Sequence, residues 1–175
     1  MGIFVFEFLL LTCFKSIIPI KSEYMDNTGL KKHQSDRLLL LGMFLFFLGL
    51  LVGLFIPLMA NPRMGLTTHL EGVINGIFLL VLGMIWNKPE LSAKWLKTAY
   101  WLIIYGAFAN FAAVLMAAIT GAGRMMPIAG GTEGDVATEN IISFLLVSLA
   151  LAMLAACLII LVGLYRYIRM NTNIK

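Results

Sequence analysis

Three stretches of this chain, residues 38–62, 98–123 and 140–165, contain no Asp, Glu, Lys or Arg, and each is longer than 20 residues. About 20 mainly apolar residues, rising 1.5 Å each, cross a hydrocarbon core about 30 Å thick. A fourth apolar stretch, residues 72–87, has only 16 residues, or roughly 24 Å of helix. To span, it must begin near Leu66 and carry His69 and Glu71 into the membrane or to its edge. The chain of 175 residues is 61% hydrophobic and 13% charged, whereas soluble domains run at about 45–50% and 25%. A water-facing fold of this size cannot bury so much apolar surface, and disorder needs the opposite composition.

The charges between the runs agree with four spans. Lys31, Lys32, Arg37, Lys88, Lys94, Lys97, Arg166, Arg169 and Lys175 fall on one side, and only Arg63 and Arg124 on the other. Nine cations against two place both termini in the cytoplasm by the positive-inside rule. Trp86, Trp95, Tyr100, Trp101, Tyr165 and Tyr167 cluster at that edge as an aromatic belt would. The expected fold is an all-α membrane protein, a four-transmembrane-helix bundle within residues 36–170, with helices at about 38–60, 66–86, 97–120 and 139–168. Residues 1–30 read as an N-terminal extension: the apolar segment 3–14 is short, interrupted by Glu7 and a poor signal peptide, and Met25 is the expected true start. The net charge of +4 comes from loops rather than from a basic face, so no nucleic-acid partner is expected. Cys13 and Cys157 lie far apart in apolar runs and suggest no disulfide framework. The glycine-rich connection 121–138 is long enough to be functional or mobile. Thr138 reads as the N-cap of the last helix, with Glu139 in its first turn.

On a wheel of about 100° per residue, Gly76, Gly72, Thr68, Asn75 and Glu71 follow His69 around one side of the second helix. Leu70, Val73, Ile74, Ile77, Val81, Met84 and Ile85 fill the other. Polar groups are costly in lipid, so the first side should meet protein or a cavity. Gly49 with Gly53, and Gly72 with Gly76, form G-x-x-x-G steps that permit close helix approach. Gly72 and Gly76 also offer a flat space beside His69. Small stripes run along helix 3 (Gly106, Asn110, Ala113, Ala117) and helix 4 (Ser148, Ala152, Ala156).

His69 is the one histidine in a membrane segment, and two readings stand open. It makes an interhelical hydrogen bond, or it ligates a metal. If the latter, haem iron is expected, since no second His or Cys lies near enough for zinc and one imidazole with an apolar slot suits a porphyrin. A single ligand would leave the sixth iron position open for a small molecule. Asn75 is the better-placed candidate for a substrate hydrogen bond, with Tyr105 and Asn110 as matching groups on helix 3. Glu71 shares the Asn75 face or sits at the water edge, and Arg124 either pairs with an anion such as a haem propionate or is solvated. No Ser/His/Asp set, phosphate-binding glycine loop or paired intramembrane carboxylates appear, so hydrolase, kinase and glycosidase chemistry is unsupported.

The run from His69 to Gly76 (His-Leu-Glu-Gly-Val-Ile-Asn-Gly) resembles hydroxylaminobenzene mutases. So do residues 101–110, residues 121–129 with Gly-Ala-Gly-Arg-Met-Met-Pro-Ile-Ala, and residues 148–153. A more distant likeness is to styrene oxide isomerase, which shares the histidine followed six places later by Asn-Gly. The resemblance implies an isomerase that turns an aryl hydroxylamine into an ortho-aminophenol. By the distant likeness it also implies haem b ligated by His69, a substrate contact at Asn75, a matching role for Asn110, and a homotrimer. That relative's catalytic tyrosine falls nearest Val114, leaving Tyr105 as a substitute. The expected protein sits in the bacterial inner (cytoplasmic) membrane, with the bilayer and a small aromatic substrate as partners. Haem iron on His69 would act as Lewis acid, cradled by Gly72, Gly76 and Arg124, while Asn75, Tyr105 and Asn110 orient the ring. The alternatives are an epoxide isomerase, a haem- or quinone-binding subunit without activity of its own, and a purely structural membrane protein.

Overall fold

The computed structural model describes residues 27–130 and 132–172. The expectations for residues 1–26, including the start at Met25, lie outside them. Four helices follow in order: α1 (Asn27–Gly53), α2 (Pro62–Ile85), α3 (Ala93–Thr120) and α4 (Val136–Thr172). Short 3-10 turns at Ile56–Leu58 and Pro127–Ala129 precede α2 and α4. All four helices are long and apolar enough to cross a membrane.

The boundaries depart from expectation for identifiable reasons. Helix α1 ends at Gly53 rather than near residue 60, because Pro57 lacks an N–H and disfavours helix in the residue before it. The chain turns, and Asn61 then caps α2, its Oδ1 accepting from the N–H of Arg63 at 3.1 Å and of Met64 at 3.2 Å, with Pro62 at the first helical position. Helix α1 is already helical at Asn27, well before residue 38, so residues 27–30 belong to it. One face of its polar first half is buried, at Asn27, Lys31, Gln34 and Ser35. Lys31 Nζ donates to Asn87 O at 3.2 Å, Ser35 Oγ to Gly83 O at 2.7 Å, and Gln34 Oε1 accepts from Trp86 Nε1 at 3.0 Å. Trp86 and Tyr100 are therefore core residues packed edge to face with centroids 6.3 Å apart, not belt residues, whereas Trp101 and Tyr165 are exposed as a belt requires.

Helix α4 starts at Val136, so Thr138 is not its N-cap. Asp135 takes that place, its carbonyl accepting from Glu139 N at 3.0 Å and its Oδ2 from Thr138 N at 3.4 Å. Glu139 is buried and reaches backward instead. Its carboxylate accepts from the backbone N–H of Gly123, Arg124 and Gly134 at 3.1–3.2 Å. Together with the bridge between Ala122 and Thr132, this fastens the connection that glycine content alone marks as mobile.

Glycines set the packing. A Cβ on Gly49 would lie 2.7 Å from Val73 N, one on Gly76 would lie 2.6 Å from Phe46 N, and one on Gly72 would strike the Gly49 backbone. The α1 and α2 backbones are thus in direct contact, as small residues allow in membranes. Helix α3 is the shared element, with the α1–α2 hairpin packed on one side and α4 on the other. The apolar half of α2 faces outward as expected: Leu70, Ile74, Ile77, Val81 and Met84 are all exposed.

Candidate active site

Helix α2 carries two polar sites at similar depth on opposite flanks. The α1 flank holds His69, and the α3 flank holds Glu71 and Asn75. Two residues on an α-helix stand about 200° apart, so His69 and Glu71 point away from each other. The single face expected to hold His69, Asn75 and both glycines is in fact divided by the seam with α1.

On the α3 flank, Asn75 Nδ2 donates to Glu71 Oε2 at 3.0 Å, and Asn110 Nδ2, from α3, donates to the same oxygen. The spacing of four residues brings Glu71 and Asn75 together. Ala113 and Ala117, on the Asn110 stripe of α3, are buried, whereas Gly106 faces Met153 of α4. Glu71 and Asn110 are half-buried and Asn75 is buried. Asn75 and Asn110 were legible as candidates. Of the two readings open for Glu71, the shared face with Asn75 is the one the structure shows, and Glu71 is the group on which the other two converge. The available signal was its pairing with Asn75 one turn on.

On the α1 flank, His69 Nδ1 lies 2.8 Å from Gly49 O. Opposite a carbonyl, Nδ1 must carry the proton, so Nε2 carries the lone pair. The interhelical hydrogen bond is therefore present. It is also the arrangement in which ligating histidines are held, one ring nitrogen on a carbonyl and the other offered to the metal. Nε2 has no hydrogen-bond partner among the described residues and is not sealed in the interior. Leu66 and Leu70 on the same outer side are exposed and make the surroundings apolar. The donor chemistry fits an axial haem ligand.

The other expected site residues are placed elsewhere. Gly72 and Gly76 leave no slot for a macrocycle, because Gly49 and Phe46 of α1 fill the space in front of them. Tyr105 does not join Asn110. Five residues apart on α3, they point in different directions, and the Tyr105 hydroxyl pairs with Ser148 Oγ of α4 at 2.6 Å. Arg124 is exposed and gives its backbone N–H to Glu139. A hollow of about 530 Å³ lies between the start of α2 and the α3–α4 connection, lined by Arg63, Met64 and Thr67 and by Met125, Met126 and Ile128. Thr67 is one turn before Glu71 on the same face. The volume is ample for a one-ring aromatic, which a cavity of about 150 Å³ already holds.

A profile of the styrene oxide isomerase family matches residues 34–165, which covers all of α2 and α3 and most of α1 and α4. The chain belongs to the styrene oxide isomerase family. Within the reach of that family's profile lie His69, Glu71, Asn75 and Asn110. Among curated relatives, hydroxylaminobenzene mutase HabB of Ectopseudomonas oleovorans is 53% identical over 130 residues, 73% of this chain and 79% of the relative. Hydroxylaminobenzene mutase HabA of the same organism is 44% identical over 127 residues, 71% of this chain and 94% of the relative. No solved structure matches. The family and both relatives make this styrene oxide isomerase family member an isomerase, and the reading as a haem- or quinone-binding subunit without activity of its own is set aside.

Proposed function

We propose that the chain rearranges an aryl hydroxylamine, such as hydroxylaminobenzene, to the ortho-aminophenol inside the membrane. The observation that carries this is the likeness to two hydroxylaminobenzene mutases over 79% and 94% of their lengths. In the reaction the N–O bond breaks and a bond forms from that oxygen to the ring carbon beside nitrogen. The hydrogen displaced from that carbon is balanced by one gained at nitrogen, so substrate and product are isomers and no reductant is consumed.

The chain's own contribution is to orient and to keep dry. Asn75 and Asn110, both tied to Glu71 Oε2, bring their amide groups to one point where α2 meets α3. There they hold the hydroxylamine group in register with the ring, where fixed donors favour developing charge. His69 is the residue that would hold haem b, through Nε2, with Gly49 O fixing the ring. When bound, ferric haem supplies a Lewis acid for an N–OH oxygen, worth several kcal/mol of charge stabilisation. His69 and the Asn75–Asn110 pair lie on opposite flanks of α2, so one chain does not bring them to one substrate. The homotrimer implied by the resemblance would supply the second flank from a neighbouring copy. Both termini and the α2–α3 loop face the cytoplasm in this reading, and the membrane is the bacterial cytoplasmic one.

Membranes containing the protein are expected to convert hydroxylaminobenzene to 2-aminophenol, and Asn75→Leu to lower kcat/KM by about 10²-fold, the loss of one well-placed donor. Turnover of styrene oxide without turnover of hydroxylaminobenzene would overturn the substrate reading. Detergent-purified protein is expected to show a Soret band, and an active preparation without one would remove the haem alone.

A further inference from the structure

We infer that Glu71 selects the substrate: its second carboxylate oxygen accepts a hydrogen bond from the N–H or O–H of the aryl hydroxylamine and turns away aromatics that bring only acceptors. The inference rests on the substrate class proposed above.

The two oxygens of Glu71 are not equivalent. Oε2 accepts from Asn75 Nδ2 and Asn110 Nδ2 together. Oε1 has no hydrogen-bond partner among the described residues, and it is not among the buried atoms cut off from a partner. It is therefore an accessible acceptor, half-sunk in the apolar span and aligned by two amides that cannot reach it. An acceptor in a low-dielectric site is costly while unmatched and strong when matched. Arg63, which lines the hollow, stands two turns back on α2 and makes no ion pair with Glu71. The position thus calls for a neutral donor. Hydroxylaminobenzene has two, on nitrogen and on oxygen, and an aryl epoxide has none. A site that bonds a substrate donor rejects an analogue lacking it far more strongly than an apolar pocket rejects a change of size.

Glu71→Gln makes this testable, because Asn75 and Asn110 both donate and so require an oxygen where Oε2 stands. The glutamine carbonyl takes that place and keeps the α2–α3 tie, while its NH2 occupies the open position. An acceptor becomes a donor with little change in shape. The probes are aniline, a donor, and acetophenone, an acceptor, in equilibrium dialysis against the purified full chain in detergent. Wild type is expected to bind aniline at least tenfold more tightly than acetophenone, and Glu71→Gln to reverse that order. Glu71→Gln should also raise KM for hydroxylaminobenzene by about tenfold or more. Glu71→Asp, which keeps an acceptor, should retain the aniline preference with weaker binding. Equal binding of the two probes by wild type overturns the inference whether or not any variant folds, and so does an unchanged order in Glu71→Gln. If wild type prefers aniline and Glu71→Gln reverses the order while hydroxylaminobenzene is not converted, the selection stands and the proposed reaction fails.

Discussion

Replacing His69 with alanine is expected to take conversion of hydroxylaminobenzene to background, more than about 10²-fold below wild type, and to abolish the Soret band of the purified protein. The argument is local. His69 Nδ1 is held by Gly49 O at 2.8 Å, which fixes both the tautomer and the ring plane and leaves Nε2 as the ring nitrogen open to a ligand. Loss of a hydrogen-bonding partner behind such a ligand costs about 10–100-fold, so loss of the ligand itself should cost more. Folding should survive, since Gly49 lies inside α1 and its carbonyl keeps its helical partner. The variant should elute in detergent as wild type does. Gly53→Ala offers a graded version, because its methyl would stand 2.9 Å from His69 Nδ1 and push the ring without removing it. A His69→Ala protein with full activity and an unchanged spectrum would end the ligand reading.

The second large effect concerns the fold. Gly72→Leu is expected to yield little or no monodisperse protein, while Gly29→Leu should behave like wild type. At Gly72 the first atom of any side chain meets the Gly49 backbone, with Phe111 at 3.0 Å behind it, whereas no described residue lies within 4 Å at Gly29. Ordinary overpacking costs about 1–3 kcal/mol when neighbouring side chains can move. Here the neighbour is a helix backbone, and the whole α1–α2 hairpin must part, so the cost should exceed that range. Size-exclusion profiles and thermal unfolding in detergent measure it. A normally folded Gly72→Leu would mean that α1 does not sit where its glycines place it.

Much of the architecture was legible because the membrane imposes it. Charged residues could not interrupt the spans, and the outward face of α2 followed from its apolar half. The errors arose where a rule saw only one helix. Counting charges delayed the start of α1, although Lys31, Gln34 and Ser35 find partners on the neighbouring loop and helix end. Asp135 and Thr138 are both good N-caps three residues apart, and residue type alone does not choose between them. A helical wheel put His69, Gly72 and Asn75 on one broad side of α2, but it could not say that α1 would occupy the middle of that side. Of the two uses read for Gly72 and Gly76, close helix approach is the one they serve, and α1 fills the space beside them. Tyr105 was grouped with Asn110 by sequence proximity, and the five-residue interval separates them. Glu71 was undervalued because its meaning depends on Asn110, 39 residues away.

The Glu139 clasp has a further consequence. One carboxylate carries the amide protons of Gly123, Arg124 and Gly134, so the two sides of the α3–α4 connection share this latch as well as the Ala122–Thr132 bridge. Neither side can lift without weakening the hold on the other. The mouth of the hollow below it should therefore open as a cooperative unit, with these three amides exchanging with solvent at one common rate rather than fraying residue by residue.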